Sequence, residues 1–171
     1  GRGFYSADEF TLEDWPESVL SDSCEIGRAC IDADHRHRRV LLLLWRGLGV
    51  YVIAHRKRYF FGCCSLTSQD PAEGARVAEW LRRHGHVHPT LDLDPQPDFD
   101  MHETSLPVDG WEASHIPTLF RTYLRYGARI CGRPAIDRAF RTIDYLALLD
   151  LDEMDPDRIL RQFEVDLRER S

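Results

Sequence analysis

A mixed α/β fold in a single domain is what this sequence predicts, and three observations point to it. The stretches Ser23 to Ile31, Arg39 to His55 and Tyr59 to Leu66 follow one another as strand, apolar helix and buried strand. A later pair of strand patterns, Ala128 to Cys131 and Thr142 to Leu149, extends the sheet. At 171 residues the chain is long enough for one sizeable core.

The elements follow from local chemistry. Ser6-Ala7-Asp8-Glu9 fits a capping box and opens a short helical turn. Arg39 to His55 is apolar almost all round, so it reads as a helix covered on most sides. Tyr59 to Leu66 is rich in aromatic residues and stops at Thr67 and Ser68. Asp70-Pro71-Ala72-Glu73 combines an N-cap, a proline at the first helical position and an acid in the first turn, which predicts a helix to about His84. Gly85 to Gly110 lacks sustained periodicity and reads as a long irregular loop. Ile116 to Tyr126 returns to a helix that Pro117 opens and Gly127 ends. The two late strands join through Gly132-Arg133-Pro134, and Asp155-Pro156 starts a last helix with Ile159, Phe163 and Leu167 on one face.

Composition excludes several classes. With 22 basic and 29 acidic residues the net charge is −7, against the basic balance of a general nucleic-acid binder. Val40 to Ile53 is too short to span a bilayer, and Arg46, Gly47 and Gly49 interrupt it. The start Gly1-Arg2-Gly3-Phe4 has no signal-peptide character, so a cytoplasmic protein is expected. Cys24, Cys30, Cys63, Cys64 and Cys131 form no zinc-like pair and read as reduced core thiols. The Cys63-Cys64 pair sits in an apolar strand that disfavours a thiolate, and His84, His86 and His88 read as a helix end, so no metal site is expected.

Two sets of residues carry chemistry. Arg36, Arg38 and Arg39 precede the apolar helix, whose first turn from Val40 offers unpaired N–H groups and a positive dipole end to one anion, as a phosphorylated carrier or cofactor would require. Arg56, Lys57 and Arg58 add cations at the other end and could steer an acidic partner. Glu25 lies in an apolar strand, where a carboxylate needs water or a cation. Arg28 is its neighbour, yet a spacing of three puts the two on opposite faces of a regular strand unless a bulge forms near Gly27. A structural ion pair at a sheet edge is the alternative to a catalytic pair.

Several of these residues also carry a family resemblance. Glu25-Ile26-Gly27-Arg28, Leu44-Trp45-Arg46-Gly47-Leu48, Phe61-Gly62-Cys63, Tyr126-Gly127-Ala128 and the segment from Cys131-Gly132-Arg133-Pro134 to Phe140 occur in the order of motifs seen in ornithine-lipid N-acyltransferases. That GNAT-like group is also labelled hemolysins, and is similar to N-acyl amino acid synthases and, more distantly, to acyl-homoserine lactone synthases. The resemblance runs from about Gly3 to Leu151, and the chain starts where the family's N-terminal portion would end.

The resemblance implies a GNAT-like fold lacking its first strands, with residues 1–155 as the domain and 156–171 as a C-terminal helix. It implies transfer of a hydroxy fatty acyl group from acyl carrier protein to the α-amine of ornithine or a related amino acid, in the cytoplasm of a bacterium. Glu25 is then the general base and Arg28 its partner, and Arg36, Arg38, Arg39 and Val40 receive the phosphopantetheine phosphate. The Gly-rich pyrophosphate loop of coenzyme A users is absent here, which favours the carrier protein as donor, with no tightly bound cofactor. Asp137, Phe140 and Asp144 fall near the acyl and acceptor pocket and are candidates for the acceptor's ammonium, with turn-capping as the alternative for the aspartates. Glu25→Gln is expected to slow turnover strongly, with partial rescue at higher pH. A second reading is a non-catalytic remnant acting as an interaction module. Its open sheet edge would invite a second copy, while membrane contact is at most peripheral.

Overall fold

The computed structural model describes residues 3–28, 31–35, 38–101 and 115–154. Among these residues α1 (Glu17–Ser21), β1 (Ser23–Glu25), α2 (Arg38–His55), β2 (Tyr59–Leu66), α3 (Pro71–Arg83), α4 (Thr118–Arg125), β3 (Arg129–Ile130), β4 (Ala135–Asp137) and β5 (Thr142–Asp150) follow in chain order. The five strands form one mixed sheet in the order β1-β2-β5-β3, with β4 also paired to β5. β1 and β2 are parallel, and every other pair is antiparallel. The mixed α/β expectation therefore holds.

The period of two in β2 and β5 separates two cores. On one face Phe60, Cys64 and Leu66 meet Ile143, Tyr145 and Ala147 and are covered by α3 and α4 through Val77, Leu81, Phe120 and Leu124, with Val52 of α2 beside Phe60. On the other face Phe61, Leu146 and Leu148 lie under Phe10, Leu12, Trp15 and Leu93. That second cover is built from 3₁₀ turns at Tyr5–Asp8 and Leu12–Asp14 and from the loop around Leu93.

Local signals explain most boundaries. Asp70 Oδ1 accepts from the Ala72 N–H at 2.9 Å, so α3 starts where the N-cap and Pro71 predict. Gly127, at φ +97°, ends the turn after α4. Gly132 needs its glycine twice: φ is +102°, and a Cβ there would stand 2.0 Å from the Leu93 carbonyl oxygen.

Three expectations are corrected. Ser6-Ala7-Asp8-Glu9 forms a 3₁₀ turn without a side-chain cap, because the Ser6 hydroxyl donates to Glu25 instead. The segment joining β3 and β5 carries an additional short strand, β4 (Ala135–Asp137), where a plain connection is expected. The helix α2 is not covered on most sides: Leu43, Leu44, Val50 and Tyr51 are exposed while Trp45 and Val52 are buried. An all-apolar helix pattern shows which residues can be buried, and the neighbours available decide how many are. Arg36, the last helix from Asp155 and the 156–171 segment lie outside the described residues.

Candidate active site

The site begins where two strands part. β1 and β2 stay paired from Ser23 opposite Tyr59 to Glu25 opposite Phe61, and the Ile26 N–H donates to the Phe61 carbonyl at 2.7 Å. There the strands nearly touch, for a Cβ on Gly62 would lie 2.0 Å from the Ile26 carbonyl oxygen. Beyond that point the chain turns away, with Arg28 in a left-handed conformation at φ +54°. Strand alternation turns the N–H groups of Cys63 and Ser65 to the same edge as the Phe61 carbonyl, where β1 no longer follows.

The parting opens a cavity of about 380 Å³. Its walls are mainly apolar, from Ile26, Trp45, Phe60, Phe120, Tyr123 and Leu149, with Arg28, Cys63 and Ser65 among the lining residues. Trp45 and Tyr123 meet edge to face at 5.6 Å between ring centroids. Burial pushes the Tyr123 phenol up to about 12, so it stays protonated at neutral pH. Such a space accepts an acyl chain more readily than a charged group.

Glu25 and Arg28 are brought to one place, though not to each other. The Glu25 carboxylate accepts from the Tyr5 N–H at 2.7 Å, the Ser6 N–H at 2.7 Å and the Ser6 hydroxyl at 2.6 Å. Three of roughly four acceptor positions are thereby filled. Arg28 lies over the Tyr5 ring at 5.8 Å, and no ion pair joins it to Glu25 among the described residues. The left-handed turn at Arg28 supplies the change of side that a bulge near Gly27 was expected to supply. Arg28 lines the cavity, while Glu25 anchors the N-terminal turn beside it.

On the Phe61 face of the sheet, which Asp144 shares by strand alternation and which lies opposite α3 and α4, stands a group of acids that includes one the sequence motifs did not single out. Glu9, Asp137 and Asp144 are all buried, at 4%, 5% and 4% exposure, with carboxylate oxygens within 4.8 Å of one another. Burial, then the charges of Asp144 and Asp137, push Glu9 up to about 7. Burial also raises Asp144, with the Ser65 and Thr142 hydroxyls working against it and Asp137 adding to it. The cluster connects to the cavity wall through Cys63, whose thiol lies 3.8 Å from Glu9 Oε2 and 3.6 Å from the Ser6 hydroxyl. Ser6 in turn reaches Glu25, so one polar chain runs from Glu25 to Glu9. Three carboxyls so close favour a bound cation, whether an ammonium or a metal ion.

The remaining expected residues are spread more widely. Asp137 does cap a turn, its Oδ1 accepting from the Ala139 and Phe140 N–H groups at 2.7 and 2.8 Å, and it also belongs to the acid cluster. Phe140 does not line the cavity; its side chain is 63% exposed. Val40 is half-buried near the start of α2, and the side chains of Arg38 and Arg39 lie outside the described residues, as does Arg36 altogether. Cys64 and Cys131 are buried thiols pushed up to about 12, and burial raises Cys63 as well. The signal that could have marked Glu9 is an acid directly before the buried Phe10, although the capping-box pattern explained it equally well.

The class of protein follows from these features. Residues 1–46 match the family model of the acetyltransferase (GNAT) domain, and the mixed sheet flanked by helices is of the GNAT fold class. The chain is further similar to proteins named L-ornithine N(alpha)-acyltransferase. It is 29% identical to the one of Rhizobium meliloti (strain 1021) over 158 residues, which is 87% of this chain and 52% of that protein. It is 30% identical to that of Rhodobacter capsulatus over 141 residues (76% and 51%), and 29% identical to that of Brucella abortus over 157 residues (89% and 56%). The chain thus spans about half the length of the curated relatives it matches. No solved structure matches it significantly.

Proposed function

We propose that this chain carries the acyl-transfer site of an N-acyltransferase, which moves a hydroxy fatty acyl group from the phosphopantetheine thioester of acyl carrier protein to the α-amine of ornithine. One observation carries the reading: the β1–β2 fork opens an apolar cavity lined in part by Cys63 and Ser65, whose N–H groups strand alternation turns to the edge that β1 has left, in a chain similar to proteins named for that activity. The acyl chain occupies the apolar walls, and the thioester carbonyl turns toward the free strand edge. A preorganised donor at a developing oxyanion is worth about 3–4 kcal/mol of barrier. The acceptor's α-amine, with a pKa of about 8, loses a proton at pH 7 for only about 1.4 kcal/mol, so positioning contributes more than the base.

Residue roles follow the same division. Arg28 at the cavity wall contacts the substrate. Glu25 keeps one acceptor position for the amine's proton while its other three hold the Tyr5–Ser6 turn. The second, positively charged amine of the acceptor is held by Asp137, Asp144 and Glu9, a group that a cation would relieve of mutual repulsion. Arg36, Arg38 and Arg39 receive the donor's single phosphate near the start of α2.

Incubation with 3-hydroxyacyl carrier protein and ornithine tests the reading through release of the carrier thiol. Ornithine-dependent release that Glu25→Gln reduces strongly, and that recovers in part at higher pH, is the expected result. No release with any amino acid would overturn it and assign the chain to a non-catalytic interaction module.

A further inference from the structure

The helix α2 presents two apolar faces, and among the described residues only one of them is packed against a core. Trp45, Leu48 and Val52 turn inward, Trp45 to the cavity and the other two to the core around Phe60. Val40, Leu43, Leu44, Gly47, Val50, Tyr51 and Ala54 recur at three- and four-residue intervals and so share the opposite side. Leu43 is 62% exposed and Val50 54%, and Leu44 and Tyr51 are exposed with them. No charged residue interrupts this stripe.

The charge around the stripe is as one-sided as its hydropathy. From His35 to Gln69 there is no aspartate or glutamate, although the protein's net charge is −7. Arg36, Arg38, Arg39, Arg46, Arg56, Lys57 and Arg58 fall in the same stretch, seven of the chain's 22 basic residues. Arg58 is committed to Asp150 and Asp152 and Lys57 donates to the Ser21 carbonyl, which leaves the exposed Arg56 at the C-terminal end of the helix.

We propose that the outer face of α2 docks on an anionic lipid bilayer, with the helix lying in the headgroup plane, Leu43, Leu44, Val50 and Tyr51 immersed, and the exposed Arg56 after its C-terminal end against a lipid phosphate. The helix rests on the membrane and does not cross it, for no helix among the described residues is long and apolar enough to do so. A second copy fits less well, because parallel or antiparallel pairing of α2 sets basic ends against basic ends with no acid between them. A carrier protein fits less well too. The stripe and the Trp45 wall of the cavity lie on opposite sides of a helix about 10 Å thick. The inference goes beyond the acyl-transfer reading and does not rest on it.

Flotation of the full chain with vesicles tests it. The chain is expected to float with mixed phosphatidylcholine–phosphatidylglycerol vesicles and not with phosphatidylcholine alone. Binding should weaken from about 0.1 M to about 1 M salt, where the Debye length falls from about 10 to about 3 Å. The double substitution Leu43→Asp with Val50→Asp should lower partitioning about tenfold or more at an unchanged circular dichroism spectrum, since both side chains face outward. A parent chain that stays behind when mixed vesicles float would overturn the proposal. So would a double variant that floats like the parent, or a dimer that the double substitution dissolves in the absence of any vesicle binding.

Discussion

Replacing Glu9 with glutamine should stabilise the protein at pH 8.5 and change it little at pH 4.5. Glu9 is 4% exposed, and Asp144, Asp137 and Asp8 all bear on it, with only the Cys63 thiol donating against them. Its carboxyl is raised from the ordinary 4.5 to about 7 in the native state. Between those values the folded protein holds a proton that the unfolded chain has released. The stabilisation is therefore complete below 4.5 and is lost as pH rises through 7. The displacement corresponds to about 3 kcal/mol. Glutamine keeps the size, cannot ionise, and brings an amide donor to the neighbouring carboxylates. Urea unfolding at the two pH values is the assay. With a denaturant slope of about 2 kcal/mol per molar, the variant's midpoint should lie above the parent's by about 1.5 M at pH 8.5 only. An equal shift at both pH values would refute the argument, since a packing effect does not titrate.

Two further outcomes follow from other features. Gly62→Ala sets a methyl group 2.0 Å from the Ile26 carbonyl oxygen at the root of the fork, so it should cost about 1–3 kcal/mol and lower the melting temperature by several degrees; calorimetry that finds no change would contradict the close approach. Cys64 and Cys131, pushed up to about 12 by burial, should resist iodoacetamide at pH 8 in the native protein and react once urea is added. Peptide mass mapping that finds either one labelled under native conditions would count against their burial.

Elements with local signals were legible in the sequence. Asp70 and Pro71 announce α3 because a cap and its proline act within one turn, and β2 keeps its expected bounds because six apolar or aromatic residues in a run of eight between turn signals leave little choice. Glu25 and Arg28 were found by motif, and the structure adds what a strand pattern cannot, that both converge on Tyr5 through a left-handed turn. The acid cluster was half legible. Asp137 and Asp144 were singled out, but Glu9 joins them across more than a hundred residues of chain, and no local pattern reports that contact. The open face of α2 escaped for a similar reason: periodicity marks the apolar positions, and only tertiary neighbours decide which of them are covered.

The nine residues of β5 pair with β2 along one edge and with both β3 and β4 along the other. Asp144 faces the acids while the next residue, Tyr145, reaches through the opposite layer to donate to the Gly74 carbonyl at 2.8 Å. A slip of one position during assembly would exchange the two, sending a carboxylate into the helical layer and a phenol among the acids. Both misplacements are penalised at once, so the strand is self-proofreading, and an error in its alignment cannot persist as a quiet defect in an otherwise sound protein.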